Sequence, residues 1–261
     1  MIIASDIHDS TDNRKLHDAL EEALEKDTHK TLIIAGDFTR RAGGSEYLRT
    51  RDWLESILSR GIRVIISVGN HDMSQRILIA RIPLKKGYER FSCLMDMIGS
   101  QECTVARMDE FDAIYRIGQD VFYSARTIHS KVCKGSRIKK DQFIWAAEQL
   151  QLSGLTTDNG YRLHLLAHQS LWKLKTDAHG HINKRDRLVK SFLRPLGFST
   201  AINGHNHRFD QGVRRVKKGI PFSLLHIQAP TLSERTKGRF IPGFVSWDPA
   251  VAGSAKMISV Q

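Results

Sequence analysis

The sequence predicts an α/β protein, and three observations carry that reading. Over the first 70 residues, apolar runs alternate with stretches of helical spacing, a pattern that builds right-handed crossovers and a largely parallel sheet. From Arg208 onward the helical spacing stops and four short runs read as strands in succession. Five apolar runs along the chain each end in Asp, Asn or His, which collects polar groups at the carboxyl edge where open α/β sheets hold ligands.

Taken in order, Met1 to Ser5 is a strand ending in Asp6-Ile7-His8. Asn13 to Lys26 carries Leu16, Ala19, Leu20, Ala23 and Leu24 at helical spacing. Thr31 to Ala35 is a strand closed by Gly36-Asp37, and Glu46 to Arg60 is a helix stopped by Gly61. The β-branched run Ile62 to Val68 is a buried strand that delivers Gly69-Asn70-His71-Asp72. Residues 73–100 loosen the pattern and read as an insertion, a cap overhanging the sheet edge.

Thr104 to Ser124 reads as short strands with a turn at Gly118-Gln119, and Lys139 to Leu152 as a helix. Asp141 sits near that helix start, where the dipole favours a carboxylate. Tyr161 to Ala167 ends in His168, and Ser199 to Asn203 ends in Gly204-His205-Asn206-His207. Arg185 to Phe192 is a weaker helix before Pro195. The tail strands are Phe209 to Val216, Phe222 to Gln228, Phe240 to Trp247 and Lys256 to Val260. No repeat, linker or low-complexity tract interrupts the chain, so residues 1–261 read as one domain.

Composition narrows the function classes. Hydrophobic residues make up 41% of the 261, enough for a large core. No apolar run approaches the ~20 residues of a membrane helix, and the first strand begins at Met1, so neither a membrane span nor a leader is expected. Cys93, Cys103 and Cys133 are odd in number and lack zinc-like spacing. They read as reduced thiols of a cytoplasmic protein. Forty Lys and Arg against 28 Asp and Glu give +12, a balance that suits anionic substrates or nucleic acid and equally a solvated basic surface.

The residue types at the five strand ends point to chemistry. Two divalent ions about 3.5–4 Å apart can hold both the attacking and leaving oxygens of a phosphoryl displacement. Such a pair needs several ligands per ion and one carboxylate shared between them. Carboxylate, amide oxygen and imidazole suit manganese, iron, zinc or nickel better than calcium, and the missing thiolate argues against a structural zinc. A hydroxide bridging the ions is then the expected nucleophile, with an uncoordinated His as acid for the leaving alkoxide.

The set D-x-H, G-D, G-N-H-D, H and G-H-x-H, in this order from Asp6 to His207, resembles the calcineurin-like metallophosphoesterase family. The resemblance implies a four-layer αββα sandwich and two divalent ions, manganese first among them. It implies Asp6, His8 and His207 on the first ion, and Asn70, His168 and His205 on the second. It implies Asp37 as the bridge, His71 as the acid that contacts the phosphate, and Asp72 as the group that orients His71. Gly36-Asp37-Phe38-Thr39-Arg40 and Gly69-Asn70-His71-Asp72 stand closer to phosphodiesterases and nucleases than to phosphoprotein phosphatases.

The expected activity is therefore hydrolysis of a phosphodiester or nucleotide-like phosphoester, with a DNA or RNA nuclease as the alternative. A phosphoprotein phosphatase and a non-catalytic scaffold are weaker readings. Arg40, Lys173, Lys175 and Arg208 follow the motifs as substrate contacts, with Arg41, Lys184, Arg185, Arg187, Arg214 and Arg215 further candidates to ring the mouth. Phe38, Tyr47 and Trp172 are the available stacking partners for a base, too scattered to make a nucleic-acid motif. His179 and His181 are spaced like a metal pair, yet their polar setting reads better as a substrate-facing loop.

Overall fold

The computed structural model describes residues 1–8, 14–73, 84–128, 136–172, 185–215, 222–232 and 241–259. The first part of the chain forms β1 (Ile2–Ala4), α1 (Arg14–Lys26), β2 (Thr31–Ile34), α2 (Gly44–Ser59) and β3 (Arg63–Ile66). A single helical turn, α3 (Asn70–Met73), and the longer α4 (Leu84–Gly99) come next. Then follow β4 (Thr104–Arg107), β5 (Ala113–Ile117), β6 (Asp120–Ser124), α5 (Lys140–Leu152), β7 (Arg162–Leu166) and α6 (Arg185–Leu188). The last elements are β8 (Thr200–Asn203), β9 (Asp210–Arg215), β10 (Ser223–Gln228), β11 (Gly243–Ser246) and β12 (Lys256–Ser259).

The strands divide between two mixed sheets. One has the order β12-β11-β1-β2-β3, the other β4-β5-β6-β7-β8-β10-β9. In the first, β1, β2 and β3 are parallel, and β11 pairs antiparallel with β1 at Ile2↔Ser246. In the second, β6, β7, β8 and β10 are parallel, while β9 runs antiparallel to β10. The five ligand-bearing runs are thus not side by side in one sheet. Three end at the carboxyl edge of the first sheet and two at that of the second.

Side-chain alternation explains how the sheets meet. On β6, Phe122 packs toward the first sheet, whereas Val121 and Tyr123 pack into the core on the other face. β7 and β8 do the same with Leu166 and Ile202 against Leu163, Leu165 and Ala201, as the two-residue period of a strand requires. Leu16, Leu20 and Leu24 bury one stripe of α1 beside the first sheet, and Phe143, Ala146 and Leu150 one stripe of α5 beside the second. Each such Leu or Phe side chain withdrawn from water is worth about 1.5–3 kcal/mol. Helices outside, two sheets inside, is the αββα order that the sequence resemblance implies.

The expected cap is where the chain departs most from the sequence reading. Over 84–99 the segment is α4, whose Phe91, Leu94, Met95 and Ile98 are buried in the core of the first sheet. Phe91 stacks on Phe111 with centroids 5.6 Å apart. This part of 73–100 is a layer helix, because its apolar stripe is wide enough to be held in the core. Residues 74–83 lie outside the described residues. Among the described residues, no helix is long and apolar enough to cross a membrane.

Candidate metal centre

Each strand hands its polar residues to the seam between the two sheets. Asp6 and His8 leave β1, Asp37 leaves β2, Asn70 and His71 lie on the α3 turn after β3, His168 leaves β7, and His205 and His207 leave β8. Asp6, His8 and His207 have ligand atoms within 4.8 Å of one another, as do Asp37, His168 and His205. A third group, His8, Asp37 and His71, shares Asp37 with the second and His8 with the first. All seven residues expected as ligands converge, together with His71.

The backbone there is held in a conformation that L-residues avoid. Asp6, His8, Asp37, His205 and His207 have φ of 53°, 52°, 56°, 72° and 57°. Such left-handed residues cost on the order of 1–2 kcal/mol each, and clusters of them mark functional sites. The cost is offset locally: Asp6 N donates to Gly36 O at 3.0 Å, His8 N to Asp37 O at 3.0 Å, and His205 N to Asp6 Oδ2 at 2.9 Å.

The nitrogen lone pairs are aimed inward. His168 Nδ1 lies 2.7 Å from the Ala35 carbonyl, an acceptor, so this nitrogen carries the proton. Its Nε2 then faces Asn70 Oδ1 at 3.1 Å, His205 Nδ1 at 3.1 Å and Asp37 Oδ2 at 3.3 Å. On the other side, His8 Nε2 and His207 Nε2 are 3.4 Å apart, and Asp6 Oδ1 is 3.1 Å from His207 Nε2. Nitrogens and oxygens this close, with so few protons to share, form the donor set a borderline divalent cation takes. The residues fit a pair of such ions, and Asp37 belongs to two of the three groups.

Electrostatics tell the same story. Burial pushes the Asp6 carboxyl up, but the hydrogen bond and charge of His207 outweigh it and hold the group well below the usual range. Asp37 is likewise held low against its burial, by the charges of His168 and His71. Burial pushes His168 down, yet Asp37 raises it to about 9. His8 is lowered, mostly by burial.

Asp72 has a different job from the expected one. Its carboxylate accepts from Asp37 N at 3.0 Å, Thr39 N at 2.9 Å and Gly69 N at 2.9 Å. Burial and the nearby Asp37 push it up to about 7. It clamps the second and third motif loops to each other. His71 Nδ1 instead lies 2.8 Å from the Arg40 carbonyl, and the imidazole meets His8 edge-on at 4.8 Å. The physical reason is burial: Asp72 faces inward to backbone N–H groups, while His71 is half-exposed at the seam.

The basic candidates divide. Arg40, Arg41 and Arg208 are exposed beside their motifs. Arg215 is not at the mouth: β9 runs antiparallel to β10, pairing Asp210 with Gln228 at the ligand edge and Arg215 with Ser223 at the far end. Arg214 folds back onto Asp210 as an ion pair. Lys173, Lys175, His179, His181 and Lys184 lie outside the described residues. Phe38, Tyr47 and Trp172 are all buried, with Tyr47 donating to the Asp72 carbonyl at 2.6 Å, so none offers a face to a base. His226 is fully buried against Trp172, and burial lowers it to about 3.

A model of the calcineurin-like phosphoesterases matches residues 1–209. The chain belongs to that family. Membership makes it a phosphoric ester hydrolase by class, and the donor set above is one for two divalent ions. No curated protein sequence matches the chain. Among solved structures, a purple acid phosphatase from yellow lupin (Lupinus luteus) seeds is similar at TM-score 0.60 and 13% identity, over 94% of this chain and 48% of that one. A dimetal phosphatase from Danio rerio is similar at TM-score 0.59 and 14% identity, over 94% and 90%. The chain thus spans about half the length of the lupin enzyme. Identities this low show a shared fold.

Residues outside the motifs hold this family centre together. Ser5 Oγ donates to Asp6 Oδ2 at 2.6 Å, Asn203 Nδ2 to Ala167 O at 2.7 Å, and Gln228 Nε2 to Gly204 O. Thr39 caps Asp72, and Thr231 donates to the Asp6 carbonyl at 3.0 Å. Ser5 and Thr39 are adjacent to motif residues and carry that signal. Gln228 and Thr231 have none in the sequence.

Proposed function

We propose that the protein hydrolyses a small phosphodiester or nucleotide-like phosphoester, using Asp6, His8 and His207 for one divalent cation and Asn70, His168 and His205 for a second. Asp37 bridges them. The observation that carries this reading is that Asp37 belongs both to the His168–His205 cluster and to the His8–His71 cluster. When bound, the cation pair supplies Lewis acidity toward a phosphoryl group and toward water. Manganese is the expected ion, with iron, zinc and nickel as alternatives on this oxygen and nitrogen set.

The chain's own part is positioning and proton supply. His71 Nδ1 donates to the Arg40 carbonyl, so Nε2 is the nitrogen left for the substrate, and it gives a proton to the leaving oxygen when the ring is the imidazolium. Asp72, held by three backbone N–H groups, keeps Asp37 and the Gly69 turn in place. Exposed Arg40 and Arg208 supply charge to a substrate phosphate. Burial of Phe38, Tyr47 and Trp172 favours this small-substrate reading over the nuclease. The unpaired thiols Cys93 and Cys103 suit a reducing compartment such as the cytoplasm.

The test is to replace Asp37 with Asn and to screen phosphomonoesters, phosphodiesters and nucleic acid with added manganese, nickel, zinc and magnesium. Asp37→Asn should lose both cations, because an amide cannot neutralise two of them. Chelation should abolish turnover of the wild type and manganese should restore it. Full turnover by metal-free protein refutes the two-cation reading, and processive cleavage of single strands restores the nuclease.

A further inference from the structure

We propose that Thr231 is a positioning residue for the first cation site, acting through the backbone of Asp6. The inference rests on the reading of Asp6, His8 and His207 as cation ligands. The family match ends at residue 209, so Thr231 lies outside it.

Thr231 sits on the short stretch after β10 that crosses from the second sheet to the first. At its start, Ala229 N donates to Asn203 O at 2.8 Å, which anchors it at the end of β8. At its finish, Leu232 N donates to Ser5 O and Gly243 N to Thr231 O, both at 3.0 Å, which anchors it to β1 and to the start of β11. Thr231 itself is fully buried. The stretch therefore ties both sheets together at the edge where their ligands meet.

The Thr231 hydroxyl donates to the Asp6 carbonyl at 3.0 Å. This bond completes the set of partners on Asp6. Its N–H is given to Gly36 O, and Oδ2 accepts from Ser5 Oγ at 2.6 Å and His205 N at 2.9 Å. Oδ1 remains, facing His207 Nε2 at 3.1 Å and His8 Nε2 at 3.9 Å. Asp6 holds φ 53°, a conformation an aspartate leaves readily unless both flanking peptides are fixed. Leu232 fixes the peptide before Asp6, and Thr231 fixes the one after it. Without the hydroxyl the second peptide is released, and Oδ1 turns away from the imidazoles.

The Thr231 hydroxyl gives its proton to Asp6, a member of the first cluster and not of the second, which is Asp37, His168 and His205. Asp6 reaches the second cluster through His205 N alone, so the first cation should be weakened more than the second.

The test is a titration of chelated, metal-free protein with manganese, followed by calorimetry and by metal analysis after desalting. Wild type should show two binding events. Thr231→Val, nearly isosteric and without the hydroxyl, should weaken one event by about 10- to 100-fold and the other by a smaller factor. Thr231→Ser should restore both. Two wild-type events in Thr231→Val overturn the proposal, as does a Ser variant as weak as the Val one. If Thr231→Val does not fold, Thr231→Ser and Thr231→Ala are compared, and equal manganese affinities overturn it. Wild type that takes up no divalent cation overturns the ligand reading itself, and this inference with it.

Discussion

A single added methyl group at Gly69 tests the geometry of the centre. A Cβ built on Gly69 would stand 2.1 Å from Asp37 Oδ1 and 2.2 Å from Asp37 N, where ordinary contact begins at 3.4 Å. Relief of that overlap requires Asp37 and the Gly69 turn to separate by about 1.2 Å, and backbone at 2.2 Å cannot rotate aside as a side chain would. Two charge-assisted bonds lie across the gap, Asp37 N to Asp72 Oδ2 at 3.0 Å and His71 N to Asp37 Oδ1 at 2.8 Å. At about 1.5–3 kcal/mol for each bond to a charged group, Gly69→Ala should cost about 3–6 kcal/mol. A shift of about 1 Å also costs about 10²-fold in rate. Gly61→Ala is the control: its φ is +72° and nothing lies within 4 Å of a new Cβ. It should cost about 1 kcal/mol of backbone strain and no activity. Chemical denaturation, bound manganese and turnover are measured for both variants. Gly69→Ala protein that binds two cations and turns over like the wild type refutes the packing argument.

Two further perturbations read other parts of the site. His71→Ala should keep both cations yet lose about 10²–10⁴ in rate, with a smaller loss on nitrophenyl esters, whose leaving group needs no proton; loss of bound metal along with activity would instead make His71 a ligand. The metal-free protein should lose stability with rising pH. His168 is held up to about 9 in the fold against 6.5 for a free imidazole, so its contribution is complete below pH 6.5 and gone above about pH 9. At 1.36 kcal/mol per unit that is at most about 3 kcal/mol. Cation-loaded protein holds His168 neutral and should not show the fall. Urea titrations at pH 6 and pH 9.5, with and without manganese, check this, and parallel behaviour of the two forms counts against it.

The residues that meet at the seam were legible because they sit at strand ends, where chain order and side-chain chemistry coincide. Asp6, Asp37, Asn70, His168, His205 and His207 needed only the rule that apolar runs become strands pointing one way. What escaped depended on direction or depth. Arg215 follows the last motif in the chain yet lies at the far end of an antiparallel strand. Phe38, Tyr47 and Trp172 flank motifs but point into the core. Asp72 looks like the natural partner of its neighbour His71, yet adjacent residues on a helical turn face different ways. Residues 84–99 break the strand–helix rhythm without leaving the core. Thr231 approaches Asp6 across 225 positions of sequence, a separation no local pattern spans.

The division of the proposed ligands between two sheets also divides them along the chain. Asp6, His8, Asp37 and Asn70 come before residue 100, and His168, His205 and His207 come after it. A chain cut in the turn between β4 and β5 would leave each fragment with an incomplete ligand set, and β1 would need β11 from the other fragment to finish its sheet. Hydrolysis would then report reassembly of the pair, which makes the fold a natural frame for a two-part reporter whose signal appears only when both fragments meet and a cation is present.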